Sequence, residues 1–84
     1  GNAESRLAMF LLSLSARQQR RQLPAEELCL PMKRADIGNY LGLTVETISR
    51  VLHKFQLDGL IAVQNRNITI TDLPALRQVN ALQT

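Results

Sequence analysis

Eighty-four residues with 45% apolar content make one small domain with a modest core. Aromatic residues, at 4%, leave that core to Leu, Ile and Val and argue against a single-strand binder that stacks bases on rings. The net charge of +3 is mildly basic, which suits a nucleic-acid partner without requiring one.

The chain opens with Gly rather than Met, and it is read as a fragment of a longer protein. Residues 4–22 predict a helix, because Leu7, Phe10, Leu11 and Leu14 form an apolar stripe at helical spacing. Arg17, Arg20 and Arg21 close it, where cations complement the negative end of the helix dipole. Residues 23–27, with Pro24 and paired glutamates, read as a loop. Residues 28–32 read as a short extended segment ending near Pro31. The single cysteine, Cys29, can form neither an internal disulfide nor, alone, a zinc or iron–sulfur site. Between Leu28 and Leu30 it is expected to be a small buried hydrophobe rather than a redox sensor.

The second helix is predicted over 34–42, with Gly42 allowing it to stop and Gly38 at the point where two helices would cross. Thr44 is a good N-cap for a third helix over 45–57, its hydroxyl meeting a free backbone N–H. Ile48, Leu52 and Phe55 point inward, with Val51 beside them, and Asp58-Gly59 ends the helix. Residues 60–64 and 67–71 predict two strands joined by a tight tip at Asn65 and Arg66. Asp72-Leu73-Pro74 opens a last short helix, with Leu73, Leu76 and Val79 facing the core. The order is helix, short strand, helix, helix, β-hairpin, helix. The expected class is therefore α+β, mainly helical: a winged helix-turn-helix filling residues 1–84, with the helix-turn-helix at about 34–57 and the C-terminal hairpin wing at about 60–71.

Glu46, Ser49 and Arg50 project from one side of the third helix, since residues three and four apart share a face. In a major groove Glu accepts from cytosine N4, and Arg grips guanine O6 and N7. The bland alternative is a solvated salt bridge between Glu46 and Arg50, which would also pre-orient the arginine. Thr44 and Thr47 are candidate phosphate donors at the helix N-terminus, although capping alone accounts for Thr44. Lys33, Arg34 and Arg66 are candidate phosphate clamps, against the reading of each as a plain surface charge. Tyr40 is expected to pack with its hydroxyl at the surface. An enzyme finds no support: there is no Gly-rich phosphate loop, no metal-ligand spacing and no nucleophile partner for His53. No apolar run reaches membrane-spanning length, and no signal-peptide pattern appears.

The run Asp36-Ile37-Gly38-Asn39-Tyr40-Leu41-Gly42-Leu43-Thr44-Val45-Glu46-Thr47-Ile48-Ser49-Arg50 resembles the C-terminal DNA-binding domain of the Crp–Fnr family of bacterial transcription regulators. The likeness continues through Asp58-Gly59-Leu60-Ile61 and Ile68-Thr69-Ile70, covering roughly 28–72. Glu46-x-x-Ser49-Arg50 resembles the Fnr and FixK branch; the cyclic-AMP receptor branch carries Arg in place of Val45 and Gly in place of Ser49. The resemblance implies a cytoplasmic activator or repressor that binds inverted-repeat double-stranded DNA as a homodimer. An activator of this kind also touches RNA polymerase. It implies a sensor barrel and a dimerisation helix outside this chain, so the chain alone is expected to be monomeric. Any iron–sulfur cysteines would lie in that sensor region, leaving no cofactor in this fragment. It implies half-sites resembling TTGAT, with Arg50 on the guanine, Glu46 on the cytosine paired with a guanine or on a neighbouring amino group, and Ser49 facing thymines. It also implies that His53 faces the DNA backbone, with Lys54 to its side. A winged helix that docks another protein is the competing class, usually marked by an acidic or apolar face where this chain carries its polar reading head.

Overall fold

Ala3–Arg20 forms the first helix, α1, in the computed structural model of the protein, which describes residues 2–82 and side chains as far as residue 79. Asn2 caps it, its side-chain oxygen accepting from the Ser5 N–H at 2.9 Å. Leu7, Ala8, Phe10 and Leu11 are buried, whereas Leu14 of the predicted stripe is half-buried. The helix stops at Arg20, short of the predicted end at 22, because Gln22 turns to φ 61°, in the left-handed region. The Gln22 and Leu23 N–H groups donate back to the Gln19 and Gln18 carbonyls, which is a Schellman stop built on Gln rather than Gly. A left-handed conformation costs an L-residue about 1–2 kcal/mol, and glycine returns about 0.4–1 kcal/mol of that through the unfolded chain. Gln22→Gly is therefore expected to stabilise the domain by about 0.5–1 kcal/mol in urea denaturation; a loss would show that the Gln22 side chain contributes more than its backbone strain costs.

The Gln18 side-chain amide donates to the carbonyls of Pro24 and Glu27 and so leads the chain into strand β1, Glu27–Cys29. Strands β2, Ile61–Gln64, and β3, Asn67–Ile70, form the expected hairpin with Asn65 and Arg66 at its tip, and Asn65 takes φ 56°. The sheet, however, has three strands in the order β1-β3-β2, all antiparallel, where a two-stranded wing was expected. Leu28 and Val63 both lie opposite the buried Ile68. Strand alternation turns Leu28 and Leu30 inward and leaves Cys29 exposed. The expectation of a buried Cys29 was thus wrong: in an extended segment its apolar neighbours point the opposite way.

Helices α2, Arg34–Leu41, and α3, Val45–Leu57, follow the predicted boundaries closely. Gly42 adopts φ 73° at the α2 C-cap, and the Leu43 N–H donates to the Gly38 carbonyl at 2.7 Å. A Cβ on Gly38 would lie 2.4 Å from the Leu43 carbonyl oxygen, so the crossing of the motif requires a bare Cα here. Ile37, Ile48, Val51, Leu52 and Phe55 join Leu7, Leu11, Ile68 and Leu76 in one core. The last helix, α4, Leu73–Leu82, is entered through Asp72, whose carboxylate accepts from the Ala75 N–H at 3.0 Å. Leu76 is buried and Leu73 and Val79 are half-buried, and α1 packs along α4 and against α3. Every buried side-chain nitrogen or oxygen among the described residues has a hydrogen-bond partner. Among those residues no helix is long and apolar enough to cross a membrane.

Candidate nucleic-acid interface

Helix α3 divides into two faces. Ile48, Val51, Leu52 and Phe55 are buried, while Glu46, Arg50 and His53 are exposed and Ser49 is half-exposed between them. The outward residues are spaced three and four apart, so they form one stripe along the helix. Val45 is also exposed, at 42%, and begins that stripe. Sequence reading used it only to tell the two branches apart.

Neither Glu46 nor Arg50 takes part in an ion pair among the described residues; the ion pairs there are those of Lys54 with Asp58 at 3.0 Å and with Glu4 at 3.7 Å. The Glu46–Arg50 bridge, the bland alternative to base reading, is therefore absent. Both heads face solvent, where holding two long side chains together gains little. Lys54 is drawn instead to Asp58 and to Glu4 on α1. Arg50, Val51 and Lys54 share an open hollow of about 220 Å³ with Asn2, Ala3 and Glu4. The Lys54 ammonium is held above its ordinary pKa of 10.5, first by the hydrogen bond to Asp58 and then by the charge of Glu4. A raised pKa makes this small surface tie present at neutral pH and lost only in strong alkali.

Thr44 caps α3: its hydroxyl oxygen accepts from the Thr47 N–H at 3.1 Å, and its own proton goes to the Thr47 hydroxyl at 2.9 Å. The capping role is thus present in the structure. It leaves Thr47, half-exposed, with the hydroxyl proton not used in the pair.

The three remaining candidates converge. Lys33 and Arg34 at the start of α2 and Arg66 at the wing tip line one open cleft of about 450 Å³ together with Asn65. The Arg34 guanidinium reaches the Asn65 carbonyl at 3.5 Å, and the Leu30 N–H donates to the Arg66 carbonyl at 2.8 Å. Sequence reading named these cations one by one but did not bring them together, and it gave Asn65 no part beyond its turn. The φ tolerance of Asn was the only signal for the tip. Cys29 lies outside this cleft, and among the described residues no cluster of His, Cys, Asp and Glu could hold a metal ion. On the α1–α2 side the Tyr40 ring is tilted against Phe10 at a centroid distance of 6.1 Å and is 73% exposed. Tyr40 thus lies mostly at the surface.

The family model of the Crp-like helix-turn-helix domain matches residues 5–79. Over 75 residues the chain is 59% identical to the anaerobic regulatory protein of Haemophilus influenzae, a match covering 89% of the chain and 29% of that protein. Over 78 residues it is 54% identical to the fumarate and nitrate reduction regulatory protein of Escherichia coli K12, covering 93% of the chain and 31% of that protein. The chain therefore spans about 30% of the length of such relatives. Among solved structures, FixK2 from Bradyrhizobium japonicum superposes with a TM-score of 0.82 at 36% identity, over 94% of this chain and 38% of that one. These relatives are transcription regulators rather than enzymes, and they stand on the Fnr and FixK side that Glu46, Ser49 and Arg50 indicated. The chain belongs to the Crp-like helix-turn-helix domain family, the winged-helix DNA-binding domain of Crp–Fnr transcription regulators.

Proposed function

We propose that this domain reads a TTGAT-like half-site in double-stranded DNA, with α3 in the major groove. The observation that carries the reading is the exposed stripe of α3, where Glu46 and Arg50 have no ion-pair partner among the described residues. Unpaired charged heads on a helix fixed by a capped turn are available to base edges. Arg50 takes the guanine through O6 and N7, Glu46 accepts from a cytosine amino group, and Ser49 lies against thymine. Thr47 and His53 donate to phosphates beside the reading head, Thr44 supports Thr47 from the cap, and Lys33, Arg34 and Arg66 supply positive charge to a flanking phosphate run. In this reading residues 1–84 are one DNA-binding unit of a longer bacterial regulator. That regulator dimerises through a region outside this chain, acts in the cytoplasm and touches RNA polymerase. One unit on one half-site then binds weakly compared with a linked pair, which gains from effective concentration.

Fluorescence anisotropy tests the reading. A labelled duplex carrying TTGAT and its inverted partner is compared with a scrambled duplex of equal composition, each at two salt concentrations. Tighter binding to the TTGAT duplex at both salts is expected. Equal binding to the two duplexes would overturn the half-site assignment, and no binding at low salt would overturn direct DNA contact by the isolated domain.

A further inference from the structure

We infer that Arg34 is a wing-positioning residue: it ties the hairpin tip to the start of α2, so that Arg66 reaches the DNA backbone only while Arg34 holds the tip. The inference deepens the proposed DNA reading and reassigns one of its three flanking cations. Arg34 is half-buried, unlike the exposed Lys33 and Arg66 on either side of the cleft. Its Nη2 is directed at the Asn65 carbonyl at 3.5 Å, the outer limit of hydrogen-bond reach. Asn65 is the one described residue of the wing with a positive φ, 56°, so the backbone at the tip is set in a strained conformation at the atom pair Arg34 addresses.

The other side of the tip is held as well. The Leu30 N–H donates to the Arg66 carbonyl at 2.8 Å, continuing the β1–β3 ladder to the end of the hairpin. Two consecutive carbonyls of the tip, those of Asn65 and Arg66, are thus approached from the segment that leads into α2 and from α2 itself. A two-residue hairpin loop exposed to water otherwise has few contacts to fix its direction. The guanidinium suits this duty, since a planar fork can direct an N–H at a carbonyl along a fixed line. An ammonium on the flexible lysine stem keeps the charge but not the direction.

Two readouts on the 84-residue chain test this. The first needs no DNA: backbone amide shifts of Asn65, Arg66 and Asn67 are compared by NMR for Arg34→Ala, Arg34→Lys and Lys33→Ala. The two Arg34 variants are expected to move the tip amides while Lys33→Ala leaves them in place; unmoved tip amides in Arg34→Ala would overturn the positioning role. The second is a double-mutant cycle on salt-dependent DNA binding. Each lost phosphate contact lowers the slope of log K against log salt by about 0.9, so independent ligands would lose about 1.8 together. If Arg34 acts through Arg66, Arg34→Ala, Arg66→Ala and the double variant all lose about 0.9. Additive loss, with Arg34→Lys binding like the parent, would make Arg34 a plain phosphate ligand and overturn the inference. Failure of the parent chain to bind DNA would refute the DNA reading alone, because the tip amides report on Arg34 without it.

Discussion

Gly38→Ala is expected to lower the stability of the domain by about 2 kcal/mol, although helix propensity taken alone predicts the opposite sign. Alanine in a helix interior is favoured over glycine by about 1 kcal/mol. Against this stands a steric conflict that cannot be relieved locally. The new Cβ would sit 2.4 Å from the Leu43 carbonyl oxygen, a backbone atom and not the end of a movable side chain. Leu43 itself is tied down, since its N–H donates to the Gly38 carbonyl at 2.7 Å and the preceding Gly42 is fixed in the left-handed cap. Separating the helices would open that cap and draw Ile37 away from Ile48 in the core. Overpacking of this kind costs up to about 3 kcal/mol, which leaves a net loss near 2 after the propensity gain. A domain of this size holds roughly 4–13 kcal/mol in all, so the variant loses a substantial part of it.

Thermal unfolding followed by circular dichroism measures the effect, with an expected drop in Tm of roughly 8–16 °C. Gly59→Ala is the informative comparison. Gly59 has φ 74° but nothing within 4 Å of its Cβ position, so that substitution carries backbone strain without collision, about 1–2 kcal/mol. A Gly38→Ala variant as stable as the parent would show that α2 and α3 slide apart freely and that the crossing is not close-packed.

The helix-turn-helix was legible in the sequence because its determinants are local. Gly42 stops one helix and Thr44 starts the next within three positions, and the apolar spacing of Ile48, Leu52 and Phe55 names the buried face of α3. What escaped is either long-range or conformational. The pairing of Leu28 with Ile68 joins segments far apart in the chain, and nothing in the short run around Cys29 reveals that β3 will have a neighbour on that side. The same pairing turns Cys29 outward. Gln22 ends α1 in a conformation that a glycine would have advertised and a glutamine does not. In the candidate interface, the stripe of Glu46, Ser49 and Arg50 followed from helical period alone. The meeting of Lys33 and Arg34 with Arg66 required the hairpin to fold back over the start of α2, which only the tertiary structure supplies. The absent Glu46–Arg50 bridge has a different origin: spacing permits such a pair, but two solvated heads gain too little from each other to hold it.

Arg50→Ala is the substitution expected to change DNA recognition most. The Arg50 side chain is exposed on α3 and has no ion-pair partner among the described residues, so its removal breaks no internal contact of that kind. The folded domain should therefore keep its stability within about 0.5 kcal/mol, the usual range for a surface change. Lost binding can then be assigned to the interface. A bidentate arginine on guanine is worth about 1–3 kcal/mol of discrimination, which converts to roughly 5- to 150-fold in Kd on the TTGAT duplex. On the scrambled duplex only one positive charge is lost, and its effect should shrink as salt rises. Arg50→Lys separates charge from geometry: it keeps the electrostatic attraction but offers a point charge in place of a planar fork, so it should bind the scrambled duplex like the parent while losing most of the Arg50 share of the preference for the TTGAT duplex. Anisotropy titrations of the parent and both variants on the two duplexes decide the matter. Equal fold losses on cognate and scrambled DNA would remove Arg50 from base reading and leave it a phosphate contact. A loss confined to the cognate duplex, which Arg50→Lys does not rescue, places the specificity of the domain in the guanidinium fork rather than in its charge.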